Sequence, residues 1–312
     1  MKKFLYKLLL FFSIIFLIAL VINFTVGKYN NTPQHFSLQY DEVINRKVKA
    51  NCIIIGTSHA THSIRPSYLN TDRYRFYNLA LNGAGPGFYL NWYKYIFNPN
   101  YPDPKYFIVA VDWFMFDDDW LWRRYEQDAI YFPSKTFYKN LLQIKSFNTR
   151  SLIQNRFPFF IHRNISDLKF AIDRKHGDDA FWIKEYDDGF LPWSAKNKKG
   201  LFIPPKNIVT DRAIERNFIS LINLFQSKGA RIIFINIPEY DISIEEYKTK
   251  ATLKFIYSFA KQRNIPFLNY NIEKRSVINL DATNFIDWGH MSPEGSKKFS
   301  KMLGEDLKKI MN

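Results

Sequence analysis

One cysteine, Cys52, stands among 312 residues. A single thiol forms no intrachain disulfide, so the core alone must hold the fold, and the position of Cys52 inside an apolar strand pattern predicts a buried, inert side chain. An oxidising compartment is tolerated but not exploited. Internal repeats and low-complexity tracts are also lacking, which excludes a repeat array. Acidic residues are in deficit: 29 Asp and Glu face 44 Lys and Arg, for a formal net charge of +15. The basic residues nevertheless come in short groups, such as Lys196 to Lys199, with no long block. Two nucleotide signatures are missing as well. Gly83-Ala84-Gly85-Pro86-Gly87 has neither the P-loop lysine pattern nor a Gly-x-Gly-x-x-Gly spacing, so a tight loop between strand and helix is the preferred reading. His59, His62, Asp287 and His290 are zinc-ligand types, but no pair among them has a recurring zinc-motif spacing. No metal and no cofactor is expected.

What is present begins with Met1 to Gly27: lysines at 2, 3 and 7, then a charge-free apolar run from Leu8 to Ile22. With its apolar flanks this is long enough to cross a bilayer, which takes about 17–25 residues. A cleaved signal peptide would end in small residues of the Ala-x-Ala kind, and Thr25-Val26-Gly27 matches poorly, so an uncleaved anchor over 1–27 is favoured. Lysines ahead of the span place the N-terminus in the cytoplasm and the remainder outside, in a single-pass arrangement. An external location argues against nucleic acid as the partner of the basic charge. Anionic lipid headgroups or an anionic envelope glycan fit it, beside plain solubility.

Residues 28–45 read as a polar linker and 46–312 as one domain, whose 46% apolar and 18% aromatic content over the whole chain suffices for a substantial core. Short apolar runs predict strands at Val48–Ile55, Tyr74–Leu79, Tyr106–Val111, Ala230–Ile235 and Pro266–Leu268. Amphipathic spacing predicts helices at Phe88–Phe97, Thr210–Lys228, Ile244–Arg263 and Pro293–Met311. Lys228-Gly229 serves as a stop signal, and Ser292-Pro293-Glu294 as a helix start. Strands alternating with helices predict an α/β domain with a parallel sheet covered on both faces. Residues 113–208 interrupt the alternation and read as a mostly helical and irregular insertion, a lid or docking surface.

In open parallel sheets, ligands gather at the carboxyl ends of the strands. The first strand runs into Gly56-Thr57-Ser58, which places a hydroxyl at that edge. A serine becomes a nucleophile when a base takes its proton and a third group orients that base. Asp287-Trp288-Gly289-His290, just before the last helix, supplies base and orienter on one turn. Ser58, His290 and Asp287 are therefore the candidate triad.

These residues resemble the SGNH/GDSL hydrolases, more closely their membrane-anchored relatives that act on envelope polymers. Gly56-Thr57-Ser58-His59 resembles the first family block, Asn78 to Ala84 the second, and Asp287-x-x-His290 with Met291 to Gly295 the last. The resemblance implies a three-layer flavodoxin-like fold and an oxyanion held by Gly83, with Asn82 as a further donor. Where the family has Gly-x-Asn after the third strand, this chain has Val111-Asp112-Trp113. An ionised Asp112 donates no hydrogen bond, so Asn82, the Trp113 indole, or the Ser58 and Gly83 amides alone must serve. His59, Asp112 and Trp113 are expected to support these groups from behind. The implied activity is serine-dependent O-acyl transfer or ester hydrolysis, with acetyl as the expected group, on a cell-surface polysaccharide and beside a membrane-bound O-acyltransferase partner. The other reading is a non-catalytic envelope protein that binds glycan or docks such a partner.

Overall fold

Five apolar runs too short for helices form the sheet of the computed structural model: β1 (Cys52–Ile55), β2 (Phe76–Asn78), β3 (Tyr106–Ala110), β4 (Arg231–Asn236) and β5 (Phe267–Asn269). The structure describes residues 2–30, 39, 42, 43, 45–116, 185–192, 212–240, 251–273 and 279–311. The strand order is 2-1-3-4-5 and every pairing is parallel. The chain winds from β1 out to β2, then returns to place β3 on the other side of β1. This reversal opens a crevice at the carboxyl edge between β1 and β3.

The strands are buried almost throughout, as continuous Ile/Val/Phe runs must be when both faces are covered. Because side chains alternate, each strand divides its residues between two layers. Cys52, Ile54, Ile108, Ala110, Ile233 and Ile235 face one layer, where they meet Phe299, Leu303 and Leu307 of α6 (Pro293–Met311). Phe107 and Phe234 face the other. There Phe107 stacks on Phe225 at 3.6 Å, and Phe234 packs against Phe218 and Phe259. Phe218 and Phe225 belong to α4 (Arg212–Ser227), and Phe259 to α5 (Ala251–Gln262). The domain is thus a parallel sheet flanked by helices on both faces. Burial pushes the Cys52 thiol up to about 12, an unreactive state.

Helix ends follow the punctuation in the sequence. Gly229 takes φ +78° after α4, and the Ser292 hydroxyl caps α6 by accepting the Gly295 N–H at 3.2 Å. Two further helices complete the domain: α2 (Ser58–Ser63) and α3 (Pro86–Trp92), which continues as a π turn over Tyr93–Phe97. Gln39 and Glu42, within the stretch read as linker, bond to this domain. The Gln39 amide donates to the Asn78 and Gly189 carbonyls at 2.8 and 2.9 Å, and Glu42 accepts the Tyr77 and Tyr186 hydroxyls.

Of the insertion expected over 113–208, the structure describes 113–116 and 185–192; the remaining residues, and the helical reading made of them, lie outside the described residues. The N-terminal helix α1 (Lys2–Asn30) belongs to a separate compact unit from the α/β domain. Among the described residues it is the one helix long and apolar enough to cross a membrane, and its large apolar side chains, including Leu9, Phe11 and Phe16, are exposed.

Candidate active site

The turn after β1 is shaped by what it must pass between. A Cβ on Gly56 would lie 2.7 Å from the Ala110 Cβ and 2.9 Å from that of Ala60, so only glycine lets α2 begin this close to β3. Thr57 then caps α2: its hydroxyl oxygen accepts the His59 N–H at 3.3 Å while its proton goes to the Asp112 carboxylate. Ser58 follows as the first residue of the helix, at the carboxyl edge of the sheet.

Its hydroxyl lies 2.9 Å from His290 Nε2, across 232 positions of sequence. On the other side of that ring, Nδ1 lies 2.8 Å from Asp287 Oδ2. A carboxylate only accepts, so Nδ1 carries the proton and Nε2 is left to accept from Ser58. Asp287 is held in turn: its Oδ1 takes the Gly289 and His290 backbone N–H groups at 2.9 and 2.8 Å. Burial pushes the Asp287 carboxyl up, but the His290 hydrogen bond and charge, with the two backbone N–H groups, outweigh it and bring the group down to about 2. Asp287 is therefore an anion at any physiological pH. Ser58, His290 and Asp287 thus stand in the arrangement that lets a neutral imidazole accept a hydroxyl proton and a fixed carboxylate stabilise the resulting cation.

The residues expected at the oxyanion lie on two turns that are tied together, the Leu81 N–H donating to the Gly56 carbonyl at 3.1 Å. The Ser58 N–H opens α2, where a helix has no internal acceptor for its first N–H groups. Gly83 sits in the turn closed by the Ala84 N–H to Leu81 carbonyl bond, with φ +73°. Asn82 is half-buried beside it, and its Oδ1 has no partner among the described residues. The structure separates the other candidates. The Trp113 indole N–H donates to both Glu239 carboxylate oxygens at 3.1 and 3.3 Å, so it is already engaged. Asp112 is fully buried and turned inward, with one oxygen accepting Thr57 and the other 3.5 Å from His59 Nδ1.

Other supporting groups were not singled out from the sequence. The Tyr89 hydroxyl donates to the Gly56 carbonyl at 2.6 Å and accepts the Leu81 N–H at 2.9 Å, tying the serine turn to the Gly83 turn. At the ends of β4 and β5, Asn271 donates to Asn236 Oδ1 at 2.6 Å and accepts the Glu239 N–H at 2.7 Å. Residues 185–192 return from the insertion and bond here: the Leu191 carbonyl accepts His62 Nδ1–H at 2.8 Å, and the Asp188 carbonyl accepts the Asn78 N–H at 2.8 Å. The readable signal was a polar residue closing an apolar strand, as Asn78, Asn236 and Asn269 each do. Among the described residues no group of three or more His, Cys, Asp or Glu is arranged to hold a metal ion.

No protein-family model and no curated protein matches the chain. Two solved structures are similar to it over most of its length. One, a Bacteroides fragilis protein with a provisional acylhydrolase description, has 11% identity and a TM-score of 0.39, covering 84% of this chain and 88% of its own. The other, described as a GDSL-like lipase of Bacteroides thetaiotaomicron, has 12% identity and a TM-score of 0.40, covering 89% and 100%. Likenesses this distant carry no argument about what this chain does.

Proposed function

We propose that the chain is a membrane-anchored, serine-dependent enzyme of the SGNH type, which transfers or removes an O-linked acyl group, acetyl in the first instance, on a cell-surface polysaccharide. The observation that carries this reading is the continuous Ser58–His290–Asp287 array, at 2.9 and 2.8 Å, on the carboxyl edge of the sheet. Ser58 Oγ attacks the ester carbonyl and passes its proton to His290 Nε2. Asp287 keeps the proton on Nδ1 and stabilises the imidazolium. Negative charge developing on the carbonyl oxygen is met by the Ser58 and Gly83 N–H groups, with the Asn82 amide as the third donor; one such donor is worth about 10²–10³ in rate. His290 then protonates the departing alcohol, leaving an acyl-serine. Water resolves that intermediate in an esterase, a sugar hydroxyl in a transferase.

The apolar helix α1 supports action at a membrane surface, with the domain outside the cell and a membrane-bound O-acyltransferase as donor partner. The basic charge suits an anionic envelope polymer as acceptor, D-alanylation of such a polymer being the same chemistry. A non-catalytic scaffold is the competing reading, and its motive was an aspartate at the oxyanion. Asp112 instead bonds Thr57 and faces His59. The test is the full chain in detergent with a chromogenic acetate ester and a fluorophosphonate serine reagent. Turnover or labelling that disappears in Ser58→Ala supports the enzyme. A reagent that leaves Ser58 untouched at every pH refutes it.

A further inference from the structure

Behind the array lies a second histidine that the reaction scheme does not use. His59 is 1% exposed, and charged groups reach it from every element packed around it. Asp112, just after β3, places Oδ1 3.5 Å from its Nδ1. Glu239, after β4, is equally buried and its charge acts on His59, as does that of the part-buried Asp287 on the loop before α6. The His290 ring stands edge-on to it with centroids 5.2 Å apart, and Trp288 closes another side at 4.8 Å. On its own helix, His62 is occupied with the Leu191 carbonyl. The loop between Asp287 and His290 has been fitted around this ring, because a Cβ on Gly289 would lie 2.0 Å from His59 Nε2.

We propose that His59 is a buried imidazolium, the fixed counter-cation of Asp112 and Glu239, and that it acts as a positioning residue whose charge keeps the adjacent His290 a free base at neutral pH. Among its described contacts, fully buried Asp112 has one neutral donor, the Thr57 hydroxyl, and one group able to carry positive charge, His59. A buried carboxylate without a cation is strongly disfavoured, so the proton belongs on the imidazole. Burial alone would push His59 down, but the charge of Asp112, followed by those of Glu239 and Asp287, outweighs it and the group is raised. A cation beside His290 opposes protonation of that ring, while Asp287 favours it. The two together hold His290 ready to accept the Ser58 proton.

The inference rests on the Ser58–His290–Asp287 reading, and its test has one arm that does not. In the full chain, 15N-labelled at histidine in detergent micelles and with His59 assigned by loss of its signal in His59→Gln, both ring nitrogens of His59 stay protonated from about pH 6 to 8. A neutral His59 at pH 7 overturns the proposal whatever the protein's activity. In Asp112→Asn the same signal shows His59 deprotonated by pH 8; an unchanged charge there also overturns it. The second arm is the pH profile of fluorophosphonate labelling of Ser58. In His59→Gln the acidic limb moves upward by about one pH unit, a shift typical of one nearby charge. Removing both partners in His59→Gln/Asp112→Asn returns the limb toward its original position. A purely structural role would lower the rate at every pH and leave the limb in place, which contradicts the proposal. If Ser58 never labels, the acyl-transfer reading fails, and the nuclear magnetic resonance arm alone decides the charge of His59.

Discussion

Gly289→Ala probes how closely the two histidines are fitted together. The added Cβ would meet His59 Nε2 at 2.0 Å, Cε1 at 2.3 Å and Cδ2 at 3.0 Å. Ordinary contact needs about 3.5 Å, so the loop and the ring must part by about 1.5 Å. His59 cannot yield easily, being enclosed by Asp112, Trp288 and His290. The displacement therefore passes along the loop to His290, one residue on, and opens its 2.9 Å contact with Ser58. A 1 Å misplacement of a catalytic group can cost about 10²-fold, so fluorophosphonate labelling of Ser58 slows at least about 100-fold. Gly229→Ala is the control. It also adds a methyl to a glycine, here one with φ +78°, but its Cβ would meet nothing within 4 Å and it caps α4, outside the site. That variant loses about 1 kcal/mol of stability and keeps its labelling rate. Labelling of Gly289→Ala at the wild-type rate would refute the account of how the loop is held.

Asp287→Asn removes the anion that fixes the His290 proton on Nδ1, and esterase turnover falls by about 10⁴-fold with the fold intact by circular dichroism. Asp287 also gives the protein a pH signature. Its folded-state value, about 2, lies below the ordinary 3.8, so its stabilisation is present above pH 4 and is lost as the pH falls toward 2. The stability difference between wild type and Asp287→Asn, read from urea midpoints, is about 2 kcal/mol near pH 5 and shrinks below about pH 3. Tyr89→Phe deletes the hydroxyl that joins the Gly56 carbonyl to the Leu81 N–H. It costs about 1–2 kcal/mol in a denaturation titration and slows labelling by loosening the Gly83 turn, whereas an unchanged rate would show that the clamp is not needed.

Much of this is legible in the sequence. Period and burial place five strands because a doubly covered parallel sheet demands short, wholly apolar runs, and those runs have few alternatives here. Punctuation at Ser292-Pro293 fixed the start of α6, since a capping hydroxyl followed by proline has a local physical meaning that tertiary structure need not supply. Ser58, Asp287 and His290, which the structure brings together, stand out by type, because a hydroxyl at a strand end and an acid three residues from a histidine are informative. The partners of Asp112 could not. A lone aspartate after a strand reads equally well as an oxyanion residue, a solvated loop charge or a buried ion. Only the approach of Thr57 and His59 in space tells which. The same holds for Trp113, whose indole reads in sequence as an available donor but is bonded to Glu239, 126 positions away. Tyr89 and the returning segment 185–192 were hidden for the same reason: their contacts are long-range hydrogen bonds, which leave no periodic trace in sequence.

The central claim is that Ser58 forms a covalent acyl intermediate, and intact-protein mass spectrometry tests it most directly. The full chain in detergent, mixed with a chromogenic acetate ester and quenched in acid at early times, is expected to gain the mass of one acetyl group, mapped to the peptide that contains Ser58. Ser58→Ala gains none, and His290→Ala, lacking the base, gains it far more slowly. A wild-type protein that releases acetate without ever carrying an acetyl group on Ser58, or that is acetylated equally well as Ser58→Ala, would contradict the account.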